Sequence, residues 1–234
     1  MDKLSIIIPA YNEARTIGQL VEKICEVRFP VDYEIILVDD HSQDRTHEIL
    51  QLLSEKDIAK RLQVFRNDQN RGKGYSILRG LEHAHGDIVV VQDADFEYDP
   101  FELPRLLEPI LRKETDVVYG SRFLGRGFPQ GMAFPNYIAN RFLTCVTNLL
   151  FGLHLTDMET CYKLVRKSLM ASLQLSAQRF DFEPEITAKL SKKKAKILEL
   201  PIHYNGRTAS EGKKIKSRDF FIALKVLLIN YFRP

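Results

Sequence analysis

Continuous apolar runs alternate with helix-like stretches through the first half of the chain. The runs lie within residues 4–8, 34–38, 62–65 and 87–92. Each run is apolar at nearly every position, which indicates strands that are buried on both faces. Between the runs, apolar residues recur at helical spacing. Strands separated by helices imply a parallel sheet, so the sequence predicts a Rossmann-like, mostly parallel α/β fold flanked by helices.

The second half of the chain is less regular. It contains a fifth predicted strand at 116–119, an amphipathic helix at 136–152 and a late strand at 197–204. No repeat, linker or low-complexity segment divides it. We therefore predict a single catalytic domain over residues 1–218, followed by a C-terminal amphipathic helix over residues 219–234.

Charge and composition narrow the class of protein. The 34 basic and 31 acidic residues give a net charge of +3, which argues against a nucleic-acid-binding protein. No run reaches the roughly 20 apolar residues that span a bilayer. The N-terminus resembles neither a signal nor a transit peptide. Three widely separated cysteines lack metal-ligand spacing, and we expect them to be buried thiols in a reducing compartment. These features predict a cytoplasmic protein and carry no signal for its oligomeric state.

Three acidic residues, Asp93, Asp95 and Glu97, directly follow the fourth predicted strand. In an open parallel sheet, ligands bind outside the carboxyl ends of the strands. Neighbouring carboxylates repel one another unless a cation lies between them, and such hard oxygen ligands suit Mg²⁺ or Mn²⁺. The alternative is that the Asp-x-Asp pair caps a helix beginning near Pro100.

The other strand ends carry groups that fit a nucleotide pocket. Pro9, Tyr11 and Glu13 follow the first strand, and Asp40 follows the second. Lys73 lies in a glycine-containing loop just before a helix, where backbone N–H groups favour an anion. We therefore predict a nucleotide site at this edge of the sheet.

Several motifs, in order, resemble family 2 glycosyltransferases with the GT-A fold. They read IIIPAYNEARTI, EIILVDDHSQDRT, NRGKGYSILRGLEHAHGDIVVVQDADFEYDP, VVYGSRF, DMETCYKLVRK, FDFEPEITAKL and HYNGRTASEGKKI. Within that family the match is closest to polyprenyl-phosphate glycosyltransferases, including dolichyl-phosphate mannose synthases. The resemblance covers nearly the whole chain. It implies an inverting, metal-dependent transfer of a hexose from a UDP- or GDP-sugar to a polyprenyl phosphate.

The resemblance also implies roles for individual residues. The residues implied to bind the nucleotide-sugar are Pro9, Tyr11, Glu13, Asp40, Asp93, Ala94, Arg207 and Lys213 or Lys214. Asp95 and Glu97 are implied to be the ligands of Mg²⁺ or Mn²⁺. Arg122 and Arg141 resemble arginines that hold the acceptor phosphate, and Asp157 matches a carboxylate near the reacting sugar.

A phosphate acceptor is consistent with these arginines. A phosphate monoester has a second pKa of about 6, so it is already an anionic nucleophile at neutral pH and needs no general base. The planar guanidinium suits phosphate. The amphipathic helix near 136–152 and the apolar stretch 220–232 would then rest on the membrane, which predicts peripheral association with its cytoplasmic face. The alternative for the stretch 220–232 is a core or dimer-packing helix.

Three alternatives use the same residues differently. In the first, the acceptor is a sugar or protein hydroxyl and Asp157 is the general base. In the second, the chain binds a nucleotide-sugar without catalysing its transfer. The third, a nucleotidyltransferase, would carry a glycine-rich loop immediately after the first strand, where this chain has Pro9 and Tyr11.

Overall fold

The computed structural model describes residues 2–55, 60–125, 127–207 and 217–233. The strands are β1 (Lys3–Ala10), β2 (Asp32–Asp39), β3 (Leu62–Arg66), β4 (Ile88–Val91), β5 (Val117–Ser121), β6 (Lys163–Arg166) and β7 (Ile197–Pro201). The helices are α1 (Ile17–Glu26), α2 (Thr46–Ser54), α3 (Lys73–Glu82), α4 (Leu103–Leu111), α5 (Phe134–Phe151), α6 (Lys167–Ser172), α7 (Phe182–Lys192) and α8 (Ser217–Phe232).

One seven-stranded sheet, ordered β3-β2-β1-β4-β6-β5-β7, forms the centre of the described chain. β1 pairs in parallel with both β2 and β4. Ile6, Ile7 and Ile8 of β1 are fully buried, because helices cover both faces of the sheet. The predicted mostly parallel α/β fold is thus confirmed.

The sheet differs from the prediction around β6, which we did not predict. This four-residue strand runs antiparallel between β4 and β5. It lies between a loop and a helix and shows too few apolar residues to be recognised by periodicity. The predicted late strand 197–204 is shorter than expected and ends at Pro201. The cysteine prediction was also partly wrong, since Cys25 and Cys145 are exposed and only Cys161 is buried.

Helices α5 and α8 pack against each other through a small apolar cluster that includes Leu143, Ala223 and Leu227. Their outer surfaces are apolar as well. The large exposed apolar side chains on the two helices are Phe134, Ile138, Phe142, Leu149, Phe221, Leu228, Ile229, Tyr231 and Phe232. Within the described ranges, no helix combines the length and apolar character needed to cross a membrane.

Candidate active site

A cavity of about 620 Å³ opens at the carboxyl ends of β1, β2 and β4, the edge where parallel sheets bind ligands. Most of the predicted site residues line it, namely Pro9, Tyr11, Glu13, Asp40, Lys73, Asp93, Ala94, Asp95, Glu97, Arg122 and Arg207. Among the predicted site residues that the structure describes, Asp157 and Arg141 do not line the cavity. Lys213 and Lys214 lie outside the described residues.

The turn after β4 carries the predicted carboxylate cluster. Asp95 closes the turn by accepting a hydrogen bond from the backbone N–H of Glu97 at 3.0 Å. The helical turn that follows is capped by Asp99, whose carboxylate accepts from Phe101 N–H at 3.0 Å. The alternative that Asp93 and Asp95 are the caps of this helix is therefore wrong.

Lys73, the first residue of α3, joins the carboxylates of two distant segments. Its Nζ lies 2.8 Å from Asp93 Oδ1 and 2.9 Å from Glu183 Oε1. Burial favours the neutral form of Asp93, but the adjacent Lys73 charge prevails and holds the pKa of Asp93 below its usual value. Gly72, at φ 99°, allows the loop before α3 to lie close to the segment before α7, since a Cβ at Gly72 would lie 2.6 Å from Gln178 O.

Asp40 shapes the loop that precedes α3. Its carboxylate accepts hydrogen bonds from the backbone N–H groups of Arg71 at 2.8 Å and Gly72 at 2.7 Å. It also accepts one from Asn67 Nδ2 at 2.7 Å. Asp40 thus lines the predicted nucleotide site and at the same time fixes the loop that leads into Lys73.

Arg207 is the main counter-ion of the carboxylate cluster. Its Nη2 lies 2.5 Å from Asp95 Oδ2 and its Nη1 3.2 Å from Glu13 Oε2. Its backbone N–H donates to Glu97 Oε1 at 2.8 Å, while Tyr204 Oη donates to Glu97 Oε2, also at 2.8 Å. Burial lowers the pKa of Arg207, but these carboxylates outweigh burial and the net shift is upward.

The carboxylate cluster has the chemistry of a divalent cation site. Burial, and then the charge of Asp93, raise the pKa of Asp95 to about 7, although the nearby charge of Arg207 acts in the opposite direction. The described residues contain no preassembled set of three or more His, Cys, Asp or Glu ligands. Mg²⁺ usually takes one or two carboxylates and completes its shell with water and substrate phosphates, so Asp95 and Glu97 fit that pattern.

Arg122 lines the cavity and is held from behind by Asp157. Arg122 Nε lies 2.7 Å from Asp157 Oδ2 and Nη2 lies 2.8 Å from Oδ1, a bidentate pair. Arg122 is 9% exposed and Asp157 is fully buried. Burial alone would lower the pKa of Arg122, but the Asp157 charge raises it overall. Asp157 therefore orients the guanidinium instead of facing the cavity.

Arg141 lies on an exposed face of α5. Its Nη1 donates to Thr156 O at 3.0 Å, and its guanidinium lies 5.5 Å from the centroid of the Phe123 ring. The residues of α5 that line the cavity include Asn136 and Asn140 instead. Successive residues on a helix point about 100° apart, which explains why Asn140 and not Arg141 lines the cavity.

Among the cavity residues that received no role from the sequence are Glu159, Cys161 and Glu183. Glu159 and Cys161 lie in DMETCYKLVRK, and Glu183 lies in FDFEPEITAKL. Both segments contribute to the family resemblance, and that resemblance is the signal in the sequence that could have identified these residues. Cys161 and Glu183 are held there by contacts across 70 or more residues, Cys161 Sγ with Val91 O and Glu183 with Lys73, which spacing along the chain does not reveal.

The fold, with its cavity at the carboxyl ends of the parallel strands, defines an α/β protein of the GT-A type. The sequence matches the family described as "Glycosyl transferase family 2" over residues 5–173, and the chain belongs to that family. This confirms the predicted family and the predicted class of enzyme, a glycosyltransferase.

Two relatives show the range of named activities. A dolichol-phosphate mannosyltransferase from Pyrococcus furiosus is 31% identical over 225 residues, which cover 95% of this chain and 62% of the relative. This chain thus spans less than two thirds of that protein's length. A UDP-N-acetylglucosamine–dolichyl-phosphate N-acetylglucosaminyltransferase from Methanococcus voltae is 30% identical over 217 residues, covering 86% of this chain and 85% of the relative.

A solved structure supports the fold. Glucosyl-3-phosphoglycerate synthase from Mycobacterium tuberculosis, solved with Mn²⁺, UDP and glucosyl-3-phosphoglycerate, superposes with a TM-score of 0.74 at 21% identity. The superposition covers all of this chain and 81% of the other. The same enzyme has been solved with Mg²⁺ and UDP. At this identity the likeness establishes the GT-A fold alone.

Proposed function

We propose that this protein transfers a hexose from a UDP- or GDP-sugar to a polyprenyl phosphate, with inversion and with the help of Mg²⁺ or Mn²⁺. One observation carries the proposal: a single cavity contains both the carboxylates Asp95 and Glu97 and the arginine Arg122. The first group suits a cation that holds a donor diphosphate, and the second suits an acceptor phosphate. The names of the two relatives both contain dolichol phosphate or dolichyl phosphate, which supports a polyprenyl phosphate as the acceptor.

The donor half of the proposed site lies along the ends of β1, β2 and β4. The nucleoside would be bound by Pro9, Tyr11, Glu13 and Asp40. The diphosphate would lie against the loop that leads into Lys73 and against the turn that carries Asp93 and Ala94. Asp95 and Glu97 would hold the metal ion. The cation, when bound, neutralises the diphosphate and stabilises the charge that develops on the leaving nucleoside diphosphate. Arg207 would supply further positive charge there, and the resemblance implies the same role for Lys213 or Lys214, which lie outside the described residues.

The acceptor half centres on Arg122, which Asp157 holds in a fixed orientation. A phosphate oxygen of the acceptor attacks the anomeric carbon of the donor sugar. The bond from that carbon to the β-phosphate oxygen breaks on the opposite side, and the nucleoside diphosphate leaves with the electron pair. A single displacement of this kind inverts the anomeric configuration. Arg141 would bind the same lipid phosphate at the outer edge, where α5 is exposed.

The hydroxyl-acceptor alternative gains little support from Asp157. Both of its carboxylate oxygens bind Arg122, and the side chain is fully buried. A general base must reach the proton that it removes, directly or through one water. A phosphate acceptor has no such requirement, which favours the lipid phosphate.

The proposed acceptor also gives a use to the exposed apolar surface of α5 and α8. Phe134, Phe142, Phe221 and Phe232 are each at least half exposed, and Arg218, one turn before Phe221 on α8, is exposed as well. Apolar side chains with adjacent basic groups bind the interface of anionic membranes. We therefore propose peripheral attachment to the cytoplasmic face of a membrane through this surface.

A donor-by-acceptor screen tests the proposal. Purified protein is incubated with radiolabelled UDP- or GDP-hexoses and with polyprenyl phosphate in detergent, in the presence of Mg²⁺, Mn²⁺ or excess EDTA. We expect metal-dependent movement of label into the solvent-extractable lipid fraction. Label that reaches a sugar or peptide hydroxyl acceptor and never the lipid would overturn the proposed acceptor, and turnover unchanged in EDTA would overturn the metal role.

A further inference from the structure

Glu159 lines the cavity with a carboxylate that the protein leaves partly unpaired. Its Oε1 is buried and makes no hydrogen bond within residues 2–55, 60–125, 127–207 and 217–233. A buried carboxylate oxygen without a donor costs free energy, so native proteins seldom keep one without a ligand or another role. The other cavity carboxylates described above have donors, for example Asp93 and Glu183 at Lys73.

The loop that carries Glu159 is held rigidly on both sides. Lys163 Nζ donates to the carbonyl of Met158 at 2.7 Å and also to that of Thr160, the two neighbours of Glu159. The backbone N–H of Met158 donates to Thr144 Oγ1 at 3.1 Å. These contacts fix the backbone at Glu159 and leave its side chain as the group presented to the cavity, the arrangement expected of a preorganised binding residue.

Glu159 also lies in a defined part of the cavity. The nearby charges that act on it belong to Glu183 on the donor side and to Arg122 and its partner Asp157 on the acceptor side, together with Lys163, which binds the loop. If a sugar passes from the donor diphosphate to a phosphate at Arg122, that sugar lies between these two sides. Glu159 is therefore placed against the transferred sugar and not against the nucleotide.

We infer that Glu159 accepts a hydrogen bond from a hydroxyl of the transferred sugar and makes the site selective for uncharged hexoses over hexuronic acids. This inference rests on the proposed function. A sugar hydroxyl supplies the donor that Oε1 lacks. A uronic acid would instead bring a second carboxylate. Of the two basic side chains that act on Glu159 in the described chain, Lys163 is committed to two backbone carbonyls, and Arg122 binds the acceptor phosphate in the proposed function.

Equilibrium binding in the absence of acceptor tests the inference. With Mn²⁺ present, the affinities of free UDP and free GDP are measured first. If UDP binds more tightly, UDP-glucose is compared with UDP-glucuronate. If GDP binds more tightly, GDP-mannose is compared with GDP-mannuronate. We expect wild-type protein to prefer the neutral sugar by at least about tenfold. Glu159→Gln should reduce that preference to within about threefold, because the amide still accepts a hydrogen bond but no longer repels a carboxylate.

Controls separate the possible failures. Glu108→Gln on α4, an exposed glutamate outside the cavity, should retain the wild-type preference, and Glu159→Gln should bind the free nucleotide as wild type does. If the nucleotide binds but the preference is missing, or survives in Glu159→Gln, the inference is overturned and the proposed function stands. If Glu159→Gln loses turnover without any change in donor affinities, Glu159 is a base and the inference is likewise overturned. If neither UDP nor GDP binds to wild-type protein, the proposed function fails and the inference fails with it.

Discussion

The guanidinium of Arg207 lies 2.5 Å from the carboxylate of Asp95, from Nη2 to Oδ2. The two residues are 112 positions apart, and the pair joins the turn after β4 to the segment after β7. Arg207 thus places a positive charge where the proposed metal ion would bind. A cation that binds Asp95 and Glu97 competes with this guanidinium, which is then available to the donor diphosphate.

Removal of Arg207 should strengthen metal binding in the absence of nucleotide. Without the competing guanidinium, we expect Arg207→Gln to bind Mn²⁺ about tenfold more tightly, a change of about 1.4 kcal/mol. Mn²⁺ titration followed by electron paramagnetic resonance measures this, with Arg112→Gln on α4 as the control. Unchanged or weaker Mn²⁺ binding would show that Arg207 does not compete for the proposed metal site.

Arg122 should matter for the acceptor and not for the nucleotide. Arg122→Lys keeps the charge but loses the bidentate contact with Asp157, so the cation is no longer held in place. We expect the KM for polyprenyl phosphate to rise by about 10- to 100-fold while the Kd for the free nucleotide stays within about twofold. A comparable loss of nucleotide affinity would move Arg122 to the donor half.

The start of α3 depends for its stability on the partly buried ion pairs that Lys73 makes with Asp93 and Glu183. Lys73→Met would leave both Asp93 and Glu183 without their cation, so we expect a loss of about 3 kcal/mol in the free energy of unfolding by urea. The double variant Lys73→Met, Asp93→Asn should recover part of that loss, and Lys193→Met at an exposed site should be neutral. If Lys73→Met is as stable as wild type, the pair does not support this part of the fold.

Glu159 should reduce stability at alkaline pH. Burial, followed by the charge of Glu183, raises the pKa of Glu159 from 4.5 to about 7. Between about pH 4.5 and pH 7, Glu159 holds a proton in the folded protein and has lost it in the unfolded chain. The contribution of Glu159 to the free energy of unfolding therefore falls as the pH rises and is lowest above pH 7.

Glu159→Gln should therefore be more stable than wild type at pH 8, by up to about 3 kcal/mol, and nearly equal to it at pH 4.5. Urea unfolding of both proteins at the two pH values measures the difference. A variant that is less stable at pH 8 would mean that Glu159 stabilises the fold, and that its carboxylate is not held at a cost.

The outer surface of α5 and α8 should control membrane attachment. Phe221 and Phe232 are 67% and 78% exposed, so their loss should leave the folded core intact. We expect the double variant Phe221→Ser, Phe232→Ser to partition into anionic phosphatidylglycerol vesicles at least about tenfold more weakly. Phe101→Ser, an exposed phenylalanine next to α4, is the matched control. Equal loss in that control would argue against a membrane-binding surface on α5 and α8.

The sheet edge could be predicted because its signals are local. The strands that end before Tyr11, Asp40 and Asp93 are continuous apolar runs, and the carboxyl ends of parallel strands meet at one edge. Strand β6 could not be predicted in this way, because four residues next to a helix carry no periodicity. It inserts antiparallel between β4 and β5, and the segment just before it carries Glu159 and Cys161 into the cavity.

The pairing of charges was not predictable from spacing. Arg122 and Asp157 are 35 residues apart, and Lys73 and Glu183 are 110 apart. The resemblance identified Arg122 and Asp157 as separate contacts of acceptor and sugar, whereas in the structure they form one buried pair. Such pairs depend on how loops fold back over the sheet.

The central claim is that the sugar is transferred to a lipid phosphate, and ³¹P NMR of the reaction tests it most directly. The reaction contains the donor sugar nucleotide, polyprenyl phosphate, the protein and Mg²⁺ as the only divalent cation. We predict that the phosphomonoester signal of the lipid is replaced by a phosphodiester signal as free nucleoside diphosphate appears in equal amount. Nucleoside diphosphate that accumulates while the lipid phosphomonoester stays intact, with every UDP- and GDP-hexose tried, would contradict the account.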